Sequence, residues 1–327
     1  MKLAVVSMVR NETDIIGSFV QHLDALFDYA ILMDHRSIDG TDAILAQACA
    51  RRPGWTLWHL EPQGYQQARF TAFAAAYAMQ TTDADFVFFL DADEFINVPD
   101  RTSLESALAA VTRPDHVGHL GWCNLLPDRL DARSFQLGET VWRPSGASAL
   151  GKAIMPRPFY QAHMRDALLM NGNHGFYYPP DVAVPHVTVG ELLHVPVRSH
   201  TQIKNKLVAG VFSVMAQSSR ESVQCGHWFR ILDRTADGTL SDDDLIGIVT
   251  RYGEAQDSGA PVSRMELADH GYRQCRMAVA AGRELAPVDL PNRIDPVQLI
   301  AAILRNYQMD TGAGNLVLDG NRVRLVA

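Results

Sequence analysis

The chain has 327 residues, a formal net charge of −8, 47% hydrophobic residues and 20% charged residues. This composition is typical of a globular protein that can bury a sizeable core. The acidic balance disfavours a nucleic-acid-binding protein, because no strongly basic stripe offsets it. Four scattered cysteines lack metal or redox spacing, so we expect reduced thiols in a cytoplasmic protein: Cys49, Cys123, Cys225 and Cys275.

The apolar segments of the chain are short. Residues 1–6 are too short an apolar run for a signal peptide, and no segment has the length of a membrane span. We therefore expect no integral membrane segment, while peripheral association with a membrane and the oligomeric state stay open.

The first part of the chain alternates short apolar runs with segments of helical periodicity. Asn11 is the expected cap of the first helix, and Asp39 is the expected cap of the second. This β-α-β order predicts right-handed crossovers and a parallel sheet with helices on both faces. Strands are predicted over 3–8, 29–33, 55–60 and 86–90, and helices over 12–27, 41–51 and 65–79.

The pattern loosens after Asn97. The sequence predicts an α/β domain at 1–210, divided into halves at 1–100 and 101–210, and then a mostly helical region at 211–327. Strands are predicted over 117–125 and 152–158, helices over 201–217, 242–252, 266–281 and 296–307, and a hairpin over 315–326 that turns at Asp319-Gly320.

Residues 233–244 match much of an EF-hand calcium loop, with Asp233 first and an Asp-Gly pair at the fifth and sixth positions. The third position is Thr235 and the twelfth is Asp244 instead of a bidentate Glu, and we find no second loop. A turn that leads to a helix capped by Ser241 explains the same residues, so calcium binding stays open.

The fourth predicted strand ends in three acids, at Asp91, Asp93 and Glu94. If the chain stays extended there, the two aspartates project to the same side and offer oxygen ligands to Mg²⁺ or Mn²⁺. They do not suggest zinc, since no Cys or His is spaced nearby. Solvated loop residues or helix caps are the alternative, but Thr102 and Glu105 have the spacing of a capping box for the next helix.

The loops after the first, second and fourth strands share one rim of a parallel sheet. Arg10, Asn11, Asp34 and Asp39 lie on the first two of these loops. The first loop lacks both the Gly-x-Gly-x-x-Gly and the Walker patterns, which disfavours a Rossmann dinucleotide site and a P-loop NTPase. The sequence therefore predicts a nucleotide-type pocket that handles phosphate through a metal ion.

Three motifs in this order resemble the nucleotide-binding half of family 2-type glycosyltransferases with the GT-A fold. They are the Val-Arg-Asn-Glu segment 9–12, the loop 34–41 and the Asp-x-Asp-Glu-Phe segment 91–95, which is similar to a bacterial branch of the family. The resemblance implies a Rossmann-like, mostly parallel sheet and a metal-dependent enzyme that uses a nucleotide-sugar donor and Mn²⁺ or Mg²⁺. It places the donor near Val9, Arg10 and Asn11.

The resemblance also assigns roles to the acids. Asp93 would be the direct metal ligand, and Asp91 would contact the donor's ribose or sugar, or the metal through water. Asp34 matches the position that accepts a hydrogen bond from the base, usually uracil. The family more often has a second Asp where His35 stands, which leaves the choice of base open.

Three basic residues resemble positions near the diphosphate or the metal. Arg69 would face the diphosphate, with a solvated helix face as the alternative. Lys152 would contact a phosphate oxygen as a point charge, with an ordinary surface lysine as the alternative. His194, followed by Arg198, resembles a late histidine that returns to the metal, and a core histidine is the alternative.

An inverting transferase needs a general base beside the acceptor hydroxyl. Glu191 and Asp181 are candidates, followed by His174, and the sequence leaves both inverting and retaining outcomes open.

These observations predict a metal-dependent glycosyltransferase of the hexosyltransferase type. We expect it to move a sugar from a nucleoside diphosphate donor, a UDP-sugar, to a glycan or cell-surface precursor. One alternative is a sugar-nucleotide nucleotidyltransferase, although such enzymes usually carry a glycine-rich basic loop after the first strand. The other is a non-catalytic protein that binds a nucleotide or a glycan.

Overall fold

The computed structural model describes most of the chain. It covers residues 1–62, 64–111, 113, 115–131, 133–146, 150–163, 168–178, 184–215, 226–252, 261–288, 300 and 314–326. The strands are β1 (Leu3–Val9), β2 (Tyr29–Asp34), β3 (Trp55–Leu60), β4 (Phe86–Phe89), β5 (Glu94–Ile96), β6 (Val117–Asn124), β7 (Leu126–Pro127), β8 (Thr140–Pro144), β9 (Gly151–Pro156), β10 (Leu168–Leu169), β11 (Phe176–Tyr177), β12 (His186–His194), β13 (Tyr272–Arg276), β14 (Asn315–Asp319) and β15 (Arg322–Val326). The helices are α1 (Ile16–Leu26), α2 (Thr41–Arg51), α3 (Gln67–Thr81), α4 (Arg101–Leu108), α5 (Arg157–His163), α6 (His200–Met215), α7 (Gly226–Ala236) and α8 (Asp242–Thr250).

A large mixed sheet organises the described residues, in the order β14-β15-β3-β2-β1-β4-β9-β6-β12-β5. Strands β3, β2, β1 and β4 are parallel, as the sequence predicts. Strand β9 is antiparallel to both β4 and β6, and β6 pairs in parallel with β12. The predicted fold class, an α/β protein with a mostly parallel sheet flanked by helices, is confirmed.

The apolar strands are buried on both faces, which explains why their sequences show no alternation. Along β1, Leu3 and Val5 belong to one hydrophobic core, which also contains residues of α1. The intervening Ala4 and Val6 belong to a second core on the other face, with residues of α3. The sheet thus forms the middle layer of three, and its carboxyl-end loops emerge at one rim.

The loops after β1 and β2 are bonded to each other. The Asn11 side-chain oxygen accepts from the Ile38 backbone N–H at 2.9 Å, and Asp39 accepts from the Thr13 N–H at 3.1 Å. Asn11 therefore does not cap α1, which begins at Ile16 without a side-chain cap, so that prediction is wrong. Asp39 instead bonds the Thr41 N–H at the start of α2, although the cap position itself is Gly40.

Two further local predictions at the acidic segment are wrong. The chain turns at Ala92 and Asp93 instead of staying extended, so Asp91 and Asp93 meet different partners. Helix α4 is capped by Asp100, whose carboxylate accepts from Ser103 N–H at 2.8 Å, and not by a box at Thr102 and Glu105.

The C-terminal third departs most from prediction. The helix predicted at 266–281 is instead a short 3₁₀ turn followed by β13, so that prediction is wrong. The helix predicted at 296–307 falls almost wholly outside the described residues, and α7 was not predicted. The hairpin predicted at 315–326 is confirmed, with Gly320 in the left-handed region at its tip, and it extends the main sheet beside β3.

The EF-hand-like segment 233–244 begins within α7 and ends within α8. Asp233 belongs to α7, and the side chain of Ser241 caps α8 in a capping box with Asp244. The turn-and-cap interpretation of these residues is therefore confirmed. Among the residues described by the structure, no helix is both long and apolar enough to span a membrane.

Candidate active site

The turn after β4 places the Asp93 carboxylate in a buried cluster of basic groups. Its Oδ2 lies 2.6 Å from Lys206 Nζ, 3.6 Å from His194 Nε2 and 3.8 Å from Arg198 Nη1. Burial disfavours the ionised acid, but the charges of Lys206 and Arg198, with that of His194 when it is protonated, hold the pKa of Asp93 well below its usual range. Asp93 is therefore an anion at neutral pH, and it joins β4, the end of β12 and α6.

Arg198 connects Asp93 to the loop after β1. Its guanidinium donates to Asp14 at 2.7 and 2.9 Å and to the Val195 carbonyl at 3.0 Å, and it also bonds Glu12. The side chain is only 2% exposed. An arginine this deeply buried needs several acids around it, and its planar fork fixes their positions.

His194 is held in one orientation by its neighbours. Asn124 Nδ2 donates to the Tyr252 carbonyl at 2.9 Å, so its Oδ1 is the acceptor and His194 Nδ1–H donates to it at 2.8 Å. The Trp122 ring stacks on the imidazole at a centroid distance of 4.4 Å. Burial lowers the pKa of His194, although Asp93 opposes this effect. A neutral His194 in this tautomer presents an unprotonated Nε2 to Asp93.

Asp91 has a separate set of partners on β9 and α3. Its carboxylate accepts from Lys152 Nζ and from Gln67 Nε2, each at 2.7 Å. Lys152 is 1% exposed and also lies 3.2 Å from Glu94. Burial, together with the nearby Asp91 and Asp93 charges, raises the pKa of Glu94 to about 8 against the opposing Lys152. Lys152 is therefore a buried counter-ion of Asp91, and the surface-lysine alternative is wrong.

The opposite side of the rim carries two guanidinium groups near Asp34. Arg10 donates to Ser213 of α6 at 2.5 Å, and Arg36 donates to the Glu61 carbonyl at 2.9 Å. Burial, with the nearby Arg36 charge, lowers the pKa of Arg10 to about 10. Arg36 adopts a left-handed φ of 61°, an unfavourable conformation for a non-glycine residue that the surrounding loop imposes. Two cations held close together favour a negatively charged ligand.

Asp34 lies within these cations at the end of β2. Its carboxylate accepts from the Ser37 N–H at 3.2 Å and lies 3.8 Å from His59 Nδ1. Burial raises the pKa of Asp34, with the Ser37 hydrogen bonds opposing it. The next residue, His35, is buried and donates from Nε2 to the Pro62 carbonyl at 2.9 Å, so His35 positions the loop.

Arg69 lies on α3 and reaches the C-terminal hairpin. Its guanidinium donates to Gln66 Oε1 at 3.1 Å and to the Gly314 carbonyl that precedes β14. The side chain is thus engaged with its own helix and with the edge of the sheet.

The structure describes two of the three candidate bases. The Glu191 carboxylate lies 2.5 Å from Arg143 and accepts from Asn97 at 2.8 Å. His174 Nδ1–H donates to the Gly151 carbonyl at 2.8 Å, which leaves Nε2 unprotonated, and burial lowers its pKa. Gly172, at φ 74°, makes room for the ring, because a Cβ there would lie 2.5 Å from Nε2. Asp181 lies outside the described residues.

The donor set suits a divalent cation in its chemistry. Asp93 Oδ2 and His194 Nε2 are two acceptors 3.6 Å apart, so the position between them favours a cation or a proton. The ammonium of Lys206 is the cation that lies on Asp93 in the structure. Among the described residues, no group of three or more His, Cys, Asp or Glu side chains is arranged to hold a metal. Asp93 and His194 thus offer two acceptors of the kind that bind a divalent cation, and Lys206 contacts the first of them.

The charge balance of the cluster agrees with this interpretation. Burial raises the pKa of Glu12 to about 7 and that of Glu94 to about 8, with the neighbouring acids adding to both shifts and the neighbouring cations opposing them. The cluster contains five carboxyl groups and three cationic side chains: Glu12, Asp14, Asp91, Asp93 and Glu94, with Lys152, Arg198 and Lys206.

Sequence reasoning missed several members of this site. Glu12 and Asp14 bond Arg198 across 186 and 184 residues of chain. Asn124, which orients His194, lies on the predicted strand 117–125, but the sequence gave no sign of this role. Nothing in the local pattern of Tyr252 points to its contact with His194, at a centroid distance of 4.9 Å.

The buried acids and cations lie at the carboxyl-end rim of the sheet, which is where α/β proteins bind their ligands. The family model for glycosyl transferase family 2 matches residues 5–144, which include the loops after β1, β2 and β4. The resemblance found in the sequence is therefore confirmed over this segment. A comparison with curated proteins finds no match.

Solved structures show distant similarity. Residues 1–349 of S. aureus TarS are 12% identical at a TM-score of 0.38, covering 79% of this chain and 77% of that one. The same fragment in complex with UDP-GlcNAc gives 12% identity and a TM-score of 0.37, covering 79% and 78%. A mycobacterial protein is 15% identical at a TM-score of 0.33, covering 66% and 74%.

Proposed function

We propose that this chain is a metal-dependent glycosyltransferase that takes a sugar from a nucleoside diphosphate donor, a UDP-sugar, and passes it to a glycan or cell-surface precursor. The family match over 5–144 supports the class of enzyme. The observation that carries the proposal is the pair of acceptors, Asp93 Oδ2 and His194 Nε2, buried at the carboxyl end of the sheet beside the donor loops. The hexosyltransferase type and a cytoplasmic location belong to the same proposal.

Asp93 and His194 would hold Mn²⁺ or Mg²⁺, with Asp91 at its side or contacting the donor. When bound, the ion supplies Lewis-acid neutralisation of the charge that develops on the leaving diphosphate. The ligand set is oxygen and imidazole nitrogen, which suits these ions better than a thiolate site would. Lys152 holds the Asp91 carboxylate in place from 2.7 Å, so it acts on the donor through Asp91.

The donor's nucleotide would lie across the loops after β1 and β2. Asp34 would be the acceptor for the base, with Val9 beside it in register on β1 and Asn11 in the loop that follows. Arg10 and Arg36 complement the phosphate charges, because neither forms an ion pair among the described residues. Arg69 would contribute its charge from α3.

The general base stays a choice among three residues. Of the two in the described structure, His174 is favoured, since it is neutral with an unprotonated Nε2. The Glu191 carboxylate is already bonded to Arg143 and Asn97. Asp181 remains the third candidate.

Release of UDP from a panel of UDP-sugars, with Mn²⁺ or with EDTA, tests the proposal. We expect slow Mn²⁺-dependent release of UDP that an added acceptor accelerates. A nucleotidyltransferase would instead require pyrophosphate, and a non-catalytic binding protein would be stabilised by a nucleotide without turning it over. Equal rates with Mn²⁺ and EDTA would contradict the metal assignment.

A further inference from the structure

Lys206 occupies the position on Asp93 that a metal ion would take. Its ammonium lies 2.6 Å from Asp93 Oδ2 and 3.9 Å from Glu12 Oε1, so the carboxylate of Asp93 is its main partner. Lys206 lies on helix α6, which follows His194 in the chain, and its side chain points into the site. The contact is one strong charge-assisted hydrogen bond, and it is held by a single flexible side chain.

Lys206 differs from the other cations of the cluster in its freedom to move. Its side chain is 26% exposed, whereas those of Arg198 and Lys152 are 2% and 1% exposed. Arg198 is fixed by Glu12, Asp14 and a carbonyl oxygen, and therefore cannot leave without breaking several bonds. Lys206 is partly exposed to solvent, and its four rotatable bonds allow the ammonium to change position.

Helix α6, which carries Lys206, also contacts the opposite side of the rim. Further along α6, Ser213 bonds Arg10 on the donor side of the rim, so this helix borders both the metal position and the donor position. A nucleoside diphosphate brings negative charge to that side, while a divalent ion brings positive charge to Asp93. Both changes favour movement of Lys206 from Asp93 toward the diphosphate.

We propose that Lys206 is an internal counter-ion that occupies Asp93 in the metal-free protein, is displaced by the divalent ion, and then contacts the donor's diphosphate. The inference rests on the proposed function. It adds that Lys206 competes with the metal ion for Asp93 and afterwards contacts the donor's diphosphate. Removal of the Lys206 charge should therefore strengthen metal binding and weaken donor binding. A purely structural lysine would not produce these two opposite changes.

Calorimetric titration of Mn²⁺ into the donor-free protein tests the competition. We expect Lys206→Met to bind Mn²⁺ at least about tenfold more tightly than the wild type, because the ion no longer displaces a charge at contact distance. Lys206→Arg, which keeps a cation on Asp93, should stay near the wild type. Lys204→Met removes the same charge from the same helix two residues away, and it should change Mn²⁺ affinity by much less.

Titration of UDP at saturating Mn²⁺ tests the second half of the proposal. We expect Lys206→Met to bind UDP about tenfold more weakly, with Lys204→Met unchanged. A thermal-melting series guards against misfolding: metal-free Lys206→Met should melt below the wild type, and Mn²⁺ should stabilise it more than it stabilises the wild type.

The outcomes separate the inference from the proposed function. If the wild type binds Mn²⁺ and Lys206→Met binds it no more tightly than Lys204→Met, the inference is overturned and the metal-dependent function stands. If UDP affinity is unchanged in Lys206→Met, the contact with the diphosphate is overturned. If neither protein binds Mn²⁺ with or without UDP, metal dependence fails and the inference fails with it.

Discussion

Ion pairs lie at both the amino and the carboxyl ends of the parallel strands in the main sheet, and these two sets of ion pairs differ in burial. At the amino end, Asp28 bonds Lys2 at 3.0 Å and Arg101 at 2.8 Å, with side chains between 24% and 49% exposed. At the carboxyl end, Asp93 and Arg198 are 3% and 2% exposed. The first set is part of the solvated surface, and the second is enclosed by the sheet, α6 and the loops.

This difference indicates what each set is for. Exposed ion pairs stabilise a fold by roughly 0 to 1 kcal/mol each, because water already solvates the separated charges. Buried pairs carry a desolvation cost that often exceeds their attraction, so stability alone does not explain them. Burial raises the pKa of Glu12 in the buried set to about 7, whereas at Asp28 the hydrogen bonds from Leu3, Arg101 and Lys2 outweigh burial and lower the pKa to about 2. We therefore assign the carboxyl end to chemistry and the amino end to the fold.

The largest expected effect comes from removing the buried arginine. Arg198→Met leaves Glu12, Asp14 and Asp93 without their shared cation, and we expect a loss of about 3 to 5 kcal/mol in the free energy of unfolding. The control Arg101→Met removes an arginine from the amino end and should cost about 1 kcal/mol. Urea unfolding measures both. Equal losses would break the distinction between the two ends.

The matched pair Asp93→Asn and Asp28→Asn tests the functional assignment. We expect Asp93→Asn to lower UDP release from a UDP-sugar by at least about 100-fold, because its carboxylate charge is the main anion facing Lys206 and His194. Asp28→Asn should turn over at the wild-type rate. Retained turnover in Asp93→Asn, with its fold intact by circular dichroism, would remove Asp93 from the site.

Asn124 offers a smaller and sharper test. Asn124→Leu removes the acceptor of His194 Nδ1–H, so we expect a mixture of imidazole tautomers and about a tenfold loss in turnover. Asn124→Asp keeps an acceptor and should retain the wild-type tautomer. Nitrogen-15 NMR of the histidines reads the tautomer directly, without metal or donor.

His22 serves as the internal reference in the same spectrum. Its Nε2 accepts from the Ile96 N–H at 2.9 Å and its Nδ1–H donates to the Ala280 carbonyl at 2.8 Å, so its tautomer is fixed by backbone groups alone. Its signals should not change in either Asn124 variant. A wild-type His194 that carries its proton on Nε2 would contradict the proposed orientation.

The smallest expected effect is the loss of the stability that Asp28, at the amino end of the strands, contributes when the pH is lowered. The pKa of Asp28 is about 2 in the folded protein, because bonds from the Leu3 N–H, Arg101 and Lys2 outweigh the burial that raises it. Its stabilisation is complete above the unfolded value near 3.9 and is lost as the pH falls toward 2. Partial exposure reduces the effect to about 1 kcal/mol. Thermal melting between pH 6 and pH 2 should show a smaller loss for Asp28→Asn than for the wild type.

The sequence predicted the parts of the fold that local pattern controls. Apolar runs located β1 to β4 within one or two residues, and their alternation with helices predicted the parallel order. The acids after β4 were located correctly, but the turn at Ala92 and Asp93 was not foreseen, because an Asp-x-Asp pattern fits an extended chain equally well. Tertiary contacts decided that conformation.

The site's supporting residues escaped prediction for a different reason. Arg198 meets Asp14 only because β12 and α6 return to the rim beside β1, and Asn124 meets His194 because β6 pairs with β12 in register. These contacts depend on the strand order of the whole sheet. A single sequence carries no local pattern for them, whereas the acid motif and the loop after β2 were recognisable by their spacing.

A crystal structure with UDP and Mn²⁺ bound would show whether the buried carboxyl-end cluster is a donor site. We expect the ion on Asp93 and His194, the diphosphate between the ion and the loops after β1 and β2, and the Lys206 ammonium moved off Asp93. A nucleotide bound elsewhere, with Lys206 still on Asp93 and no ion beside it, would contradict the proposed donor site.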